Sequence, residues 1–212
     1  MPNFQHYWGI SRLKQLLRQG WVNNVPISAI ESVADHSFAV GYFSYIFSLW
    51  ENDLRSKKKQ DLLKLEASKY CVAGLFHDIA ESYYIDFDKN VIDLVPEAKS
   101  LKKTAETRGF NKILEFWAKK NRNISKNMEK LFIENLDQES KLFIEVIDKI
   151  ELHWQTLTYY MNNWISLSNA QPFITSTYEF IKKNQEKFNF IENLLKEKLI
   201  FENLQNVIDI KK

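Results

Sequence analysis

Glycine and proline are scarce in this chain, with 5 and 4 among 212 residues. Apolar residues recur almost throughout at intervals of three and four, and with so few breakers that pattern argues for an all-α fold. Cysteine occurs once, at Cys71, so an internal disulfide is excluded and a reducing compartment is the natural setting. Its apolar helical surroundings make it a small buried hydrophobe. An excess of either charge is lacking too: Lys+Arg 29 against Asp+Glu 27 leaves a net +2. No basic stripe announces a nucleic-acid partner, although a local positive pocket for a phosphate fits this balance. Long hydrophobic runs are also missing. The most apolar window, Ala39 to Trp50, is too short to cross a bilayer and is interrupted by Gly41, Ser44 and Ser48. MPNFQHYWGI has no positive run ahead of an apolar core, so no secretory leader is expected. The expectation is a cytoplasmic protein with neither a membrane nor a nucleic-acid partner.

What is present is a series of amphipathic helices within a length that suits one sizeable core, and residues 1–212 read as a single-domain helical bundle. His36, Val40, Phe43, Phe47 and Trp50 trace one helical stripe, with Ser32 placed to cap its start ahead of Asp35. The spacing predicts a second core helix from Leu62 to about Glu81, with Ala73, Gly74, His77, Asp78 and Glu81 on or beside one face. A loop rich in Asp and Asn, DFDKN, follows, and then a long polar helix beginning near Pro96, a residue favoured in a first helical turn. Glu139 to about Tyr160 forms a further helix carrying Asp148, with Phe143, Ile147, Ile150 and Trp154 as its buried companions. From Thr175 onward, Phe180, Phe188, Ile191, Leu194 and Leu195 mark one or two helices that pack on the bundle or on a second subunit.

His77 and Asp78 stand side by side in CVAGLFHDIAESYYID, with His36 upstream in ESVADHS and Asp148 downstream in FIEVIDKIEL. This order resembles the HD-domain metal-dependent phosphohydrolases. The flanks ISRLKQLLRQGW, ESVADHS and HDIAES, with Asp86 after them, resemble the subfamily of 5′-deoxynucleotidases, the deoxynucleoside 5′-monophosphatases. The resemblance covers about Ile10 to Glu151, leaving 152–212 as additional C-terminal helices. It implies that His36, His77, Asp78 and Asp148 hold a divalent ion. Two imidazoles and two carboxylates suit Mn, Co, Ni or Zn better than Ca or Mg. Two-metal HD enzymes place further histidines between the HD pair and the last Asp; here none occurs, and His6 and His153 lie outside that interval, so one metal is expected. Adjacent residues on a helix point about 100° apart, so His77 and Asp78 share an ion only if it sits against the helix flank. Taken singly, His36 also reads as a helix-start residue, and Asp148 as a solvated partner of Lys149.

Glu81, four residues after His77, projects beside the metal in that helix, where a carboxylate can orient a water for in-line attack on phosphorus. Near a cation it is expected to stay ionised. The resemblance implies that Asp86 gives a proton to the leaving 5′-oxygen or positions the sugar, although the usual preceding Gly is Ile85 here. Arg18 matches the family's phosphate-facing arginine. One branch of the family follows that arginine with an aromatic residue that packs on deoxyribose. Here the position is Gln19, and Trp21 after Gly20 resembles the eukaryotic branch, so Gln19 and Trp21 are the sugar-facing candidates. VPISAIE, from Val25 to Glu31, is longer than in the bacterial branch and is expected near the mouth of the site.

The function expected from these residues is hydrolysis of deoxynucleoside 5′-monophosphates to nucleoside and phosphate, with a small-molecule nucleotide as partner and, as in many relatives, a homodimer as assembly. The alternatives are a small dNTP triphosphohydrolase attacking at the α-phosphorus, and a non-catalytic nucleotide-binding HD module. Hydrolysis of guanosine tetraphosphate is disfavoured because its HDxxED acids are not both present: Glu81 is followed by Ser82.

Overall fold

The computed structural model describes residues 5–86 and 94–204, with side chains from Gly9 onward. Among these the fold is all-α, as the spacing of apolar residues predicts. The helices are α1 (Gln5–Arg12), α2 (Val33–Lys57), α3 (Ala67–Phe76), α4 (Pro96–Lys120), α5 (Arg122–Glu129), α6 (Gln138–Met161), α7 (Leu167–Lys183) and α8 (Asn189–Lys196). The chain divides into two compact units, Met1–Phe38 with Val72–Lys141, and Ala39–Cys71 with Leu142–Lys212.

In the first unit, Leu13, Val33, Ile79, Phe110, Ile113 and Phe132 form the core. Phe110 stacks on Phe132 with ring centroids 3.8 Å apart. A loop over residues 18–31 is tied at its base, where the Arg18 N–H donates to the Glu31 carbonyl at 3.1 Å and the Val33 N–H donates to Leu16 at 2.8 Å. Helix α2 starts on the expected cap: the Asp35 N–H donates to Ser32 Oγ at 3.1 Å, and the Ser32 N–H donates back to Asp35 Oδ2 at 2.9 Å. A reciprocal cap of this kind stabilises a helix start by about 1 kcal/mol. Helix α4 likewise begins at Pro96, in its first turn.

The second core helix is shorter than its apolar pattern suggests. It begins at Ala67 and ends at Phe76, and a separate 3-10 turn, Ile79–Tyr83, carries Glu81. The reason lies in packing. Gly109 of α4 approaches that turn so closely that a Cβ there would lie 2.7 Å from the Ala80 carbonyl oxygen. Cys71, expected to be buried, is half-buried. Of the DFDKN loop, residues 87–90 lie outside the described residues.

In the second unit, Phe143, Ile147 and Ile150 of α6 are fully buried as expected, each worth about 1.5–3 kcal/mol of apolar burial. The C-terminal aromatics close on the same unit: Phe190 stacks on Phe47 at 4.9 Å, and Phe188 meets Phe143 edge to face at 5.3 Å. They serve this unit's own core. The first tail helix starts earlier than Thr175, at Leu167, where Ser166 Oγ accepts from the Asn169 N–H. Helix α8 has no side-chain cap of its own. Buried Glu51 of α2 supplies one, accepting from the Phe190 N–H at 3.1 Å while Arg55 donates to it at 2.9 Å.

His153 is fully buried in this unit. The Phe201 N–H donates to its Nε2 at 3.0 Å, so Nδ1 carries the ring proton and faces Thr177 Oγ1 at 2.8 Å. Burial lowers its pKa to about 4. It is a neutral structural histidine.

Candidate metal centre

The end of α3 determines how the His-Asp pair is presented. On a continuous helix the two side chains would diverge by about 100°. Here the helix stops before them, and Asp78 takes φ −107°, ψ 12°, a conformation outside the helical region. His77 Nε2 and Asp78 Oδ2 consequently converge to 3.1 Å. His77 Nδ1 lies 2.6 Å from the Gly74 carbonyl oxygen. That oxygen can only accept, so Nδ1 holds a proton, and in the neutral ring Nε2 is left to present its lone pair.

His36, on the first turns of α2, is completely buried. Its Nε2 lies 3.2 Å from His77 Nε2 and 3.8 Å from Asp78 Oδ2. Donors bound about 2.0–2.1 Å from one ion, at tetrahedral or octahedral angles, stand about 2.8–3.4 Å apart. Two of these three separations fall in that range, and the third is slightly wider. The donor set His36, His77 and Asp78 therefore fits a divalent cation. A metal-bound imidazole generally donates its other N–H to a carbonyl or carboxylate, and His77 Nδ1 is so placed at the Gly74 carbonyl.

Two carboxylates add to this picture. Burial pushes the Asp78 carboxyl up, but His77, Arg18 and His36 outweigh it and hold it well below the usual carboxylate range. Glu81 behaves in the opposite way. It is 1% exposed, and neither of its oxygens has a hydrogen-bond partner among the described residues. Burial, then Asp78 and Asp86, push its pKa well above the ordinary value, so the ionised state expected from the sequence is disfavoured in the protein's own field. A cation held by Asp78 opposes that shift. A buried carboxylate without a partner is costly, and a neighbouring cation is the group that offsets the cost.

Arg18 reaches the same place from the tied loop. Its Nη1 donates to Asp78 Oδ2 at 3.2 Å and lies 3.7 Å from Asp86 Oδ1. Asp86 is nearly buried and accepts from the Gln19 N–H at 2.7 Å. In this arrangement Asp86 holds the Arg18–Gln19 backbone, a use that the sequence reading did not include.

The two sugar-facing candidates differ in their surroundings. The Gln19 side-chain amide donates to the Leu17 carbonyl at 3.0 Å. Trp21 is 1% exposed, its indole N–H donating to Glu31 Oε1 at 3.1 Å. It therefore acts as an anchor of the loop and offers no open ring face to a sugar. Of the VPISAIE segment, Val25 and Ile30 are buried while Ile27 is exposed.

Asp148 stands on α6 in the second unit, its Oδ2 2.6 Å from Lys149 Nζ. Sequence reasoning overlooked two groups of the first unit. Lys102 and Glu106 of α4 share the electrostatic field of Asp78, and the register of the Pro96 helix relative to Gly109 was the signal that could have found them.

The HD domain family matches residues 10–189. The chain belongs to that family. The match extends past Glu151, where the recognised motifs ended, through α7 to the start of α8. Solved structures agree in fold. A conserved hypothetical protein from Pyrococcus furiosus superposes with a TM-score of 0.63 at 18% identity, covering 92% of this chain and 99% of its own. A protein from Pyrococcus horikoshii gives 0.58 at 20% identity, covering 90% and 99%. Curated proteins give no significant match. HD-domain proteins are generally hydrolases that bind divalent metals, and metal-dependent phosphohydrolysis is the class of chemistry that membership supports here.

Proposed function

We propose that this HD-domain protein is a cytoplasmic phosphomonoesterase that hydrolyses deoxynucleoside 5′-monophosphates to deoxynucleoside and phosphate. The observation that carries the reading is the convergence of His36, His77 and Asp78 with the Arg18 guanidinium 3.2 Å from Asp78. Metal donors and a planar, permanently charged phosphate binder meet at one point. We assign His36, His77 and Asp78 as ligands of a single Mn, Co, Ni or Zn ion.

When bound, the ion would polarise the phosphoryl group and lower the pKa of water. The remaining work falls to side chains. Arg18 pairs with the phosphate oxygens, and Asp86 fixes the backbone that aims it. Glu81, kept ionised where a cation at Asp78 would oppose its raised pKa, takes a proton from the attacking water as the new P–O bond forms and returns it to the 5′-oxygen as the old P–O bond breaks. Because Trp21 is enclosed, discrimination against a 2′-hydroxyl rests on groups other than its ring.

The test is a phosphate-release screen of metal-supplemented protein, using Mn, Co, Ni, Zn and Mg with dNMP, NMP and dNTP panels and chromatography of every product. Nucleoside and orthophosphate from dNMPs are expected. Nucleoside with tripolyphosphate from dNTPs would replace this reading with the triphosphohydrolase, and silence from metal-loaded protein on all panels would replace it with a binding module.

A further inference from the structure

The outer face of helix α2 is apolar where a helix at the surface of a lone subunit would be polar. Phe38, Tyr42, Tyr45, Ile46 and Leu49 are each between 39% and 69% exposed. The side turned inward takes smaller residues, with Ser37, Ser44 and Ser48 buried alongside Val40 and Phe47. No charged residue interrupts the helix between His36 and Glu51. Polarity returns to the outer face only at the ends of this stripe, at Asp35 and at Asp53, which pairs with Lys57 at 2.6 Å. A sizeable apolar patch rimmed by polar residues marks an interaction surface.

Spacing and area select the occupant. Phe38, Tyr42, Tyr45 and Leu49 follow one another at intervals of four, three and four, the seam by which one helix packs along another. That order is the same read in either direction. Two copies of α2 laid antiparallel across a twofold axis therefore set Phe38 against Leu49 and Tyr42 against Tyr45, and repeat both pairs on the other side of the axis. With ~200 Å² for a large side chain, the exposed fractions amount to about 500 Å² on one subunit. Two such faces would bury about 1,000 Å², the area at which a specific interface begins.

We propose that the Phe38–Leu49 face of α2 is the docking surface for a second copy of this chain, forming an antiparallel α2–α2 homodimer. Tyrosine suits the middle of such a seam, since its ring is buried while its hydroxyl reaches the wet rim. Ile46 widens the contact on one side. This surface is independent of the phosphatase reading, because it uses exposed side chains of α2 and none of the residues assigned to metal or phosphate.

Sedimentation velocity of the full chain across the micromolar range tests this, and should show a dimer that dissociates on dilution, with a melting temperature that rises with concentration. Tyr42→Glu and Leu49→Glu each place a charge at an exposed position outside the subunit's own core. Both variants should stay folded by circular dichroism and associate about a hundredfold more weakly, since an unpaired charge would be buried in the seam. Thiol cross-linking in a Cys71→Ser background reads the geometry without a charged variant. In the antiparallel pair, one copy's Phe38 and the other's stand ~16 Å apart along the helix axis. A short bismaleimide should therefore leave Phe38→Cys alone and Leu49→Cys alone unlinked, and join the two when they are mixed. A wild type that stays monomeric, a dimer that survives both charged substitutions, or linkage in the single variants would each overturn the proposal. A monomer that floats with phosphatidylglycerol vesicles, and is released by Tyr42→Glu, would likewise overturn it and give the stripe to a membrane surface.

Discussion

Glu81 is the residue on which the proposed chemistry turns, because its environment conflicts with its charge. With no hydrogen-bond partner among the described residues, this buried carboxylate is driven toward its neutral form, and a raised pKa is the direction that proton transfer near neutral pH requires. Glu81→Gln keeps the shape and removes the proton chemistry. It should lower kcat by about 10²- to 10⁴-fold with metal content unchanged, and the melting temperature of the metal-free protein should not fall. Steady-state kinetics with elemental analysis checks this, and an unaltered kcat would return Glu81 to a structural carboxylate. At this scale the HD family was legible from His36, His77 and Asp78, because their types and order are tied to chemistry, and the fold brings these three and Arg18 together. Trp21 was not, since a tryptophan that anchors a loop and one that stacks on a sugar are the same letter. Its burial is decided by Glu31 and the tied loop, which are tertiary facts.

Among the elements, the 3-10 turn Ile79–Tyr83 matters most, since it separates Glu81 from the helix that ends at Phe76. The apolar pattern identified a helix here, but neither Pro nor Gly marks its end. The break goes with the close packing of α4 on Ala80, a contact between residues 80 and 109 that no local window contains. Where ends are set locally, at the Ser32–Asp35 cap and at Pro96, the sequence located them well. Gly109→Ala tests the contact. Alanine favours a helix interior by about 1 kcal/mol over glycine, yet the added methyl would press on a backbone carbonyl that cannot move without its turn. Overpacking of this kind costs roughly 1–3 kcal/mol. The expected outcome is a lower melting temperature together with a lower kcat, because the displaced turn carries Glu81. A variant as active as wild type and more stable would show that the turn yields freely.

For the molecule as a whole, acid sensitivity follows from His153, far in sequence from the HD pair and easily mistaken for a spare ligand when histidines are merely counted. In the native protein its pKa is lowered to about 4, against about 6.5 for an unperturbed histidine. Between those values the unfolded chain binds a proton that the native protein refuses. This contribution to stability is therefore complete above about pH 6.5 and declines as pH falls toward 4, by up to about 1.4 kcal/mol per pH unit. Bound metal would add a pH dependence of its own, so the comparison is made in chelator, between wild type and His153→Gln. A glutamine amide can still accept from the Phe201 N–H and donate to Thr177 while having no charge to gain. Urea midpoints measured from pH 7 down to pH 4.5 should fall more steeply for wild type than for His153→Gln, even though the variant starts lower from imperfect packing. Parallel profiles would mean that the buried imidazole gains its proton without unfolding the protein, and the acid sensitivity would then have to come from other groups.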